Sequence, residues 1–285
     1  MRKQKAIVLF DKRLRSLMLI LFTSIFFTTN VWAEKAEKGF VLTNTLKGRA
    51  NPAGGALETI LYYRIPLFGK DGRLWESAHV DIGLSNYLSP AFNTTSIYLN
   101  IEPIAIFDVT VTYGVQAGYD VFNRGISRLP SDTSPTDADS LDTYSRGAAD
   151  LAYVTKIAPR IKLALGPILL AHVFRYNAYD FTTINNKSNY MIELDTRFTA
   201  KDYMLENSSF VLYQFNKKFR AGLNYYNIST PSHNYTSNRL SVLGNYKHNF
   251  SEKLQLSTTL LAGYYLSHEN YTSFFALLCG VSSKL

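Results

Sequence analysis

The amino-acid sequence predicts an all-β protein, an antiparallel up-and-down transmembrane β-barrel of about 12 strands, within a range of about 10–14. Three observations favour this fold. Apolar and polar residues alternate with a period of two along much of the chain, several alternating runs are long, and the N-terminus has the form of an export signal. After that N-terminal segment no run of about 18 apolar residues occurs, so no internal transmembrane helix is predicted.

The alternation is clearest in segment 109–121. Valine, tyrosine and alanine occupy the odd positions from Val109 to Val121, while threonine, glycine, glutamine and aspartate occupy the even positions. Successive side chains of a strand point to opposite faces, so this segment has one apolar and one polar face. The pattern recurs in 78–87, 190–199, 219–226 and 253–267, and more weakly in 40–50, 57–67, 94–104, 144–157, 160–176, 207–216, 237–248 and 271–285.

These segments number 13, whereas single-chain bacterial barrels have an even number of strands. We therefore predict 12 strands and expect the error near Lys201–Phe215, where the alternation is poor. The main alternative is a secreted soluble β-sandwich, which also alternates. Strand length favours the barrel, because soluble strands cluster near 5–6 residues and membrane-crossing strands need about 9–11. The polar face, rich in Gly, Ser, Thr, Asn and charge, is also better suited to a wet lumen than to a dry core.

Residues 1–33 have the three parts of a secretory signal peptide: a basic start, an apolar run and a short polar segment before Val31-Trp32-Ala33. The apolar run Leu17–Phe27 is shorter than the roughly 20 residues that span a bilayer, which favours a cleaved signal over a permanent anchor helix. We predict cleavage after Ala33 and a single barrel domain over residues 34–285.

The formal net charge of +8 belongs largely to this leader, which holds six of the 30 basic and one of the 22 acidic residues. The remaining chain carries a net charge of +3 and lacks a basic block interleaved with aromatics, so nucleic-acid binding is not expected. The single Cys279 excludes an intramolecular disulfide and a cysteine-based metal cluster. No cofactor or metal is predicted.

Connections of two lengths orient the barrel. Short turns are predicted near 104–108, 158–160, 216–218 and 249–252, and the longest connection is the polar, acidic segment Asn123–Thr143. Outer-membrane barrels have short periplasmic turns and longer external loops, so segment 123–143 is predicted to be extracellular.

The chain resembles bacterial outer-membrane β-barrel proteins as a general class, without a specific family. The resemblance rests on the leader ending Val31-Trp32-Ala33, the alternating strands and the last strand, where Phe275, Leu277 and Val281 share one face with Cys279 and Leu285. Such barrels typically end in an aromatic residue, and this chain ends in Leu285. The resemblance implies location in a bacterial outer membrane, contact with its lipid and insertion by the barrel-assembly machinery.

Charged residues at inward positions are the candidate lumen lining of a barrel with this alternation. They are Glu58, Arg64, His79, Asp81, Glu102, Glu193, Asp195, Arg197, Arg220, Arg239 and Lys247. A mixed-charge lining fits two interpretations equally well: an internal ion-pair network that plugs a structural barrel, or a narrow channel for a small polar solute.

An enzyme is the third possibility, a hydrolase or acyltransferase acting on lipid or peptide. His79 and Asp81 share a strand face and could form an acid–base pair, and His268 lies between Ser267 and Glu269 beside a predicted turn. No Gly-x-Ser-x-Gly motif is present, and neither cluster matches a catalytic motif. We therefore predict no catalytic residue and a non-enzymatic barrel.

Overall fold

A computed structural model describes residues 36–50, 54–68, 72, 74–119, 126–128, 150–182, 189–191, 196–268 and 272–284. The strands are β1 (Gly39–Ala50), β2 (Gly54–Pro66), β3 (His79–Leu88), β4 (Phe92–Ile104), β5 (Phe107–Gly118), β6 (Ile126–Arg128), β7 (Leu151–Leu165), β8 (Ile168–Phe181), β9 (Asn189–Met191), β10 (Thr196–Phe198), β11 (Lys201–Gln214), β12 (Phe219–Thr230), β13 (Tyr235–Asn249), β14 (Leu254–Ser267) and β15 (Ser273–Lys284). A short 3-10 helix covers Pro231–His233. Within these ranges, no helix is both long enough and apolar enough to cross a membrane.

Twelve of these strands form one closed antiparallel barrel, and β6, β9 and β10 form a separate three-stranded sheet. Each barrel strand pairs with its neighbours along the barrel order, and β1 pairs with β15 from Val41↔Lys284 to Ala50↔Phe275. Closure leaves no sheet edge with unpaired backbone groups, which is what a hydrocarbon environment requires. The predicted fold class and the prediction of 12 strands are confirmed.

The two faces of the barrel have opposite chemistry, as the alternation predicts. On β5 the outward Tyr113 is 54% exposed, whereas the inward Asp108 and Gln116 are buried. Outward positions carry large apolar side chains around the whole circumference, including Leu46, Leu84, Ile97, Val242 and Tyr264. A closed barrel with an apolar outer surface and a polar interior is the architecture of a bacterial outer-membrane protein.

The prediction that segment 190–199 forms a barrel strand is wrong. Residues 182–200 connect β8 to β11, and this connection contains β9 and β10, which pair with β6 in the small sheet. Alternation identifies a strand but not the sheet to which it belongs, so a short strand in a loop looks like part of the barrel. The segment we suspected instead, Lys201–Phe215, contains the barrel strand β11 over its first 14 residues.

The predicted turn at 158–160 is also wrong. β7 continues through Pro159, which pairs with Val109 of β5, and the turn to β8 comes at residues 166–167. Proline lacks the backbone donor that a strand ladder uses, so it favours a turn in sequence analysis. Gly166 makes the actual turn, with a φ of +60° that glycine adopts without strain.

The two longest connections between barrel strands, 119–150 and 182–200, lie at the same end of the barrel, which we call the extracellular end. The short connections 51–53, 89–91, 231–234 and 268–272 lie at this end too. The short turns 105–106, 166–167, 215–218 and 250–253 lie at the other, the periplasmic end, together with the longer connection 67–78. β1 begins and β15 ends at the periplasmic end.

Two lumen tyrosines cover a close approach of strands at Gly83. Gly83 of β3 pairs with Tyr62 of β2 and with Tyr98 of β4, and the two rings lie 5.8 Å apart, centroid to centroid. A Cβ atom at Gly83 would lie 2.0 Å from the carbonyl oxygen of Leu61. Glycine bends at such positions help a sheet to curve into a barrel, and a neighbouring aromatic ring covers the bare backbone.

We expect Gly83→Ala to lower the free energy of unfolding by about 1–3 kcal/mol, because the added methyl group forces the backbone of β2 to shift. Urea titration of the protein folded into lipid vesicles measures the change. Gly244→Ala is the matched control, since nothing lies within 4 Å of a Cβ built there. Equal stability of the two variants would show that the approach at Gly83 carries no strain.

Candidate functional site

A cavity of about 1150 Å³ occupies the periplasmic end of the barrel interior. We call it the periplasmic cavity. Its lining is mixed, and most of its apolar side chains come from β7 and β8. The charged side chains and the histidine of the lining are Arg64, His79, Asp81, Glu102, Asp108, Arg160, Lys162, Arg175, Lys217, Lys218, Arg220 and Lys247.

One side of the cavity is an ion-pair network that we call the paired wall, formed by Arg64, Asp81, Glu102, Asp108, Arg160 and Lys162. It begins with a bidentate pair, in which Arg64 Nε donates to Asp81 Oδ1 at 2.8 Å and Nη2 donates to Oδ2 at 2.7 Å. The Asp81 side chain is 2% exposed and that of Arg64 is 26% exposed. This planar geometry gives the strongest type of charged hydrogen bond available to a carboxylate.

The paired wall continues across β4, β5 and β7. Lys162 Nζ lies 2.7 Å from Glu102 Oε2 and 3.1 Å from Asp108 Oδ2, and Arg160 Nε donates to Asp108 Oδ2 at 2.8 Å. Ser77 Oγ donates to the other oxygen of Glu102 at 2.8 Å. Three carboxylates on adjacent strands are therefore matched by three cations on the flanking strands, and the wall has no net charge of its own.

The opposite side has a different composition, and we call it the basic wall: Lys217, Lys218, Arg220 and Lys247. Lys217 and Lys218 are exposed and belong to the turn between β11 and β12. Asn216 Oδ1 fixes that turn by accepting the backbone N–H groups of Lys218 and Phe219, both at 2.8 Å. The described residues that line the cavity from β11 to β14 and the turns between them include no carboxylate.

The middle of the lumen is filled by side chains that bond to one another. Lys47 Nζ lies 2.8 Å from Glu58 Oε2. Glu206 accepts hydrogen bonds from Asn177 and from the hydroxyl of Tyr226, each at 2.8 Å. The Arg239 guanidinium lies over the ring of Phe274, 3.4 Å from its centroid, where apolar and cation–π contact replaces water.

Buried apolar side chains pack together at the extracellular end of the lumen, and we call them the mouth cluster. Its members are Tyr87, Ala91, Phe92, Ala152, Val154, Tyr179, Phe181, Phe198 and Ala200. Phe198 comes from β10 in the connection 182–200, and its ring stacks on Phe181 with centroids 4.7 Å apart. The neighbouring Thr196 hydroxyl bonds to that of Thr230 on β12. Residues 196–198 thus pack onto the barrel mouth.

The structure places the predicted lining residues in three groups. Arg64, His79, Asp81, Glu102, Arg220 and Lys247 line the periplasmic cavity, and Glu58 and Arg239 lie deeper in the lumen. Arg197 lies on β10 of the small sheet, not on a barrel strand. Glu193 and Asp195 lie outside the described residues.

Sequence analysis missed several cavity residues, notably Asp108, Arg160, Lys162, Lys217 and Lys218. Asp108 lies at an even position of β5, the polar face that the alternation had already identified. Arg160 and Lys162 were missed because the false turn at 158–160 broke β7 in two. Lys217 and Lys218 lie on a turn, where alternation with a period of two does not predict the direction of a side chain.

At both histidines of the enzyme hypothesis the nearby serine hydroxyl bonds to another group. His79 Nδ1 lies 2.6 Å from the carbonyl oxygen of Ser77 and Nε2 lies 3.2 Å from Asp81, while the Ser77 hydroxyl bonds to Glu102. His268 Nε2 lies 3.5 Å from the Tyr235 hydroxyl, and the Ser267 hydroxyl bonds to the carbonyl of Thr236. Glu269, the third residue of that predicted cluster, lies outside the described residues. Among the described residues no group of three His, Cys, Asp or Glu side chains is placed to hold a metal ion.

No family model matches the chain. No curated protein matches it either. Solved structures similar to it include the KdgM porin in complex with disordered oligogalacturonate, at 10% identity, covering 86% of this chain and 99% of that chain, with a TM-score of 0.42. The CymD monoaromatic hydrocarbon channel is 11% identical, covering 87% of this chain and 89% of that chain, with a TM-score of 0.43. The translocator domain of the autotransporter NalP from Neisseria meningitidis is 8% identical, covering 95% of this chain and 96% of that chain, with a TM-score of 0.40. Identities this low concern the fold alone.

Proposed function

We propose that this protein is a non-enzymatic channel that passes small polar solutes across the outer membrane. The observation that carries the proposal is the periplasmic cavity of about 1150 Å³, lined by charged side chains inside a barrel whose outer face is apolar. A protein with only a structural role has no need of such a cavity lined by charged side chains. A barrel of 12 strands is narrower than the 16–18-stranded porins, so the solute must be small.

The arrangement of the lumen suits conduction through a closed resting state. Charged side chains at the periplasmic end replace part of the hydration shell of a polar solute, and ion pairs hold those side chains in place. We propose that the apolar side chains of the mouth cluster block the extracellular end in the resting state, because they disfavour water and ions. On this proposal, passage requires displacement of β10, which supplies Phe198.

Conductance in planar lipid bilayers tests this proposal. We expect the purified, refolded protein to give discrete steps that are smaller than those of a wide porin, with brief openings that reflect the closed mouth. Heat-denatured protein at the same concentration is the control for adventitious leakage. If a folded barrel gives no conductance steps over a range of voltages, salt concentrations and pH values, the channel proposal is wrong and the barrel has a structural role.

We also propose that residues 1–33 are removed during export and that the mature barrel is inserted by the assembly machinery. The basic start, the short apolar run and Val31-Trp32-Ala33 support this proposal. We expect Edman sequencing of the protein from outer-membrane fractions to begin at Glu34. A chain that retains its leader in the outer membrane would contradict cleavage, and Ala33→Arg is expected to leave the precursor uncleaved.

A further inference from the structure

We propose that Arg49 and Arg239 form a binding site for an oxyanion group, a carboxylate or a phosphate, of a small solute in the extracellular half of the lumen. The site deepens the proposed channel function and rests on it, because the lumen gives the solute its access. Three observations support the site. Each arginine has a buried nitrogen without a hydrogen-bond partner, the two guanidinium groups approach the same stretch of β15, and the carboxylates in the middle of the lumen have other partners.

The first observation concerns the guanidinium nitrogens. Arg49 lies on the lumen face of β1, two positions from Lys47. Its Nη2 atom is buried and has no hydrogen-bond partner, and the same is true of Nε of Arg239. Buried donors are nearly always hydrogen-bonded, and a buried charge normally has a partner of opposite sign. These N–H groups therefore require a partner from outside the chain, either water or an anion.

The second observation is that the two arginines converge. Arg49 pairs with Ala276 of β15, and Phe274 lies two positions from Ala276 on the same lumen face. Arg239 reaches this place from β13, two strands away in the barrel order, with its guanidinium carbon 3.4 Å from the centroid of the Phe274 ring. The two like charges are close enough to act on each other. An anion bound between them compensates both charges, which water does not do.

Aromatic side chains surround Arg239 without neutralising it. Its guanidinium carbon lies 4.6 Å from the centroid of the Tyr226 ring and 5.9 Å from that of Tyr265, and Tyr265 is also a neutral hydrogen-bond partner. Rings contact the flat face of a guanidinium group, whereas its N–H bonds point outward in the plane of the group. Nε–H thus stays available to an oxyanion, and the rings around it exclude water and strengthen the attraction.

The third observation is that carboxylates in the middle of the lumen have other partners. Glu58 Oε2 lies 2.8 Å from Lys47 Nζ, and Glu206 accepts hydrogen bonds from Asn177 and the Tyr226 hydroxyl, each at 2.8 Å. Among the residues that the structure describes, no carboxylate forms an ion pair with Arg49 or Arg239. The positive charges of both arginines are therefore available to a solute.

Calorimetric titration of the folded barrel in detergent micelles at low ionic strength tests the site. Benzoate and inorganic phosphate are the separate probes for the two oxyanion groups. We expect at least one of them to bind, and we expect Arg49→Gln to weaken its binding about tenfold, because the substitution removes a charged hydrogen bond.

Arg160→Gln is the matched control, since it changes the net charge of the lumen by the same amount. Arg160 already donates to Asp108, and Asp108 keeps Lys162 at 3.1 Å when Arg160 is replaced. This variant should bind the probes as the wild type does. Equal weakening by Arg49→Gln and Arg160→Gln would assign the effect to the overall charge of the lumen and would overturn the site.

Unfolding in urea gives a second measurement. Arg49→Gln removes a charge that has no partner, so without added anion this variant should be at least as stable as the wild type. A saturating concentration of the bound probe should raise the urea midpoint of the wild type more than that of Arg49→Gln. If Arg49→Gln is less stable and the probe shifts both midpoints equally, Arg49 has a structural role and the site is overturned.

The channel and the anion site fail in different ways. If neither probe binds, the buried N–H groups hold water alone and the site is overturned, even in a barrel that conducts. If a probe binds as expected but the bilayers stay silent, the channel proposal fails and the anion site survives. In a conducting barrel the bound probe should reduce the chloride current, and Arg49→Gln should relieve this block.

Discussion

Replacement of Arg64 by alanine is expected to lower the free energy of unfolding of the barrel by about 3 kcal/mol, one of the largest effects of any single substitution in the lumen. The substitution removes both hydrogen bonds from the guanidinium to Asp81, whose side chain is 2% exposed. The carboxylate then keeps its contact with His79 Nε2, at 3.2 Å. The loss comes chiefly from this poorly compensated charge, since removing one member of a buried pair costs more than the pair contributes.

Unfolding in urea of vesicle-inserted protein measures this effect, and a second substitution isolates its cause. Asp81→Asn in the Arg64→Ala background removes the stranded charge, so the double variant should recover a large part of the lost stability. Lys201→Ala is the control for loss of an exposed pair, because Lys201 and Asp180 are 78% and 49% exposed. Its effect should be below about 1 kcal/mol. A double variant as unstable as Arg64→Ala alone would assign the loss to packing instead of charge.

Most of the fold could be predicted from the sequence because the pattern that identifies it is local. The odd and even positions of segment 109–121 differ in polarity, and over the described residues 109–119 they face the outside of the barrel and the lumen respectively. Two predictions, the turn at 158–160 and the barrel strand at 190–199, were wrong because a local pattern does not show which strands pair with each other. Pro159 looks like a turn in isolation and is accommodated within β7, and residues 190–199 alternate but belong to a loop sheet.

The candidate site was less accessible to sequence analysis because it depends on which strands face each other. Arg64 and Asp81 lie 17 residues apart in sequence, and both were identified only as inward charges. Lys162 and Glu102 are 60 residues apart, and their contact requires the barrel order β4–β5–β7. The division into a paired wall and a basic wall follows from this order, since acidic residues cluster on β3, β4 and β5 while Arg220 and Lys247 lie across the lumen.

Replacement of Phe198 by alanine is expected to open the extracellular end of the lumen. Phe198 is 4% exposed and stacks on Phe181, and β10 contributes it to the mouth cluster. Removing a buried phenylalanine side chain costs about 3 kcal/mol, which corresponds to about a hundredfold change in an equilibrium constant. The Phe198 ring and the Thr196–Thr230 hydrogen bond both join β10 to the barrel. We therefore expect the substitution to weaken the packing of β10 on the barrel.

Single-channel recording distinguishes a local opening from a general loss of stability. Phe198→Ala should raise the open probability strongly, while the unfolding of the 12-stranded barrel in urea changes little, because β10 lies outside the barrel sheet. Phe250→Ala is the control, since Phe250 lies at a periplasmic turn and is 62% exposed. It should leave both measurements unchanged. Equal open probability in wild type and Phe198→Ala would mean that the mouth cluster does not close the lumen, and the resting block would then lie at the side chains of the lumen middle, around Lys47, Glu58 and Glu206.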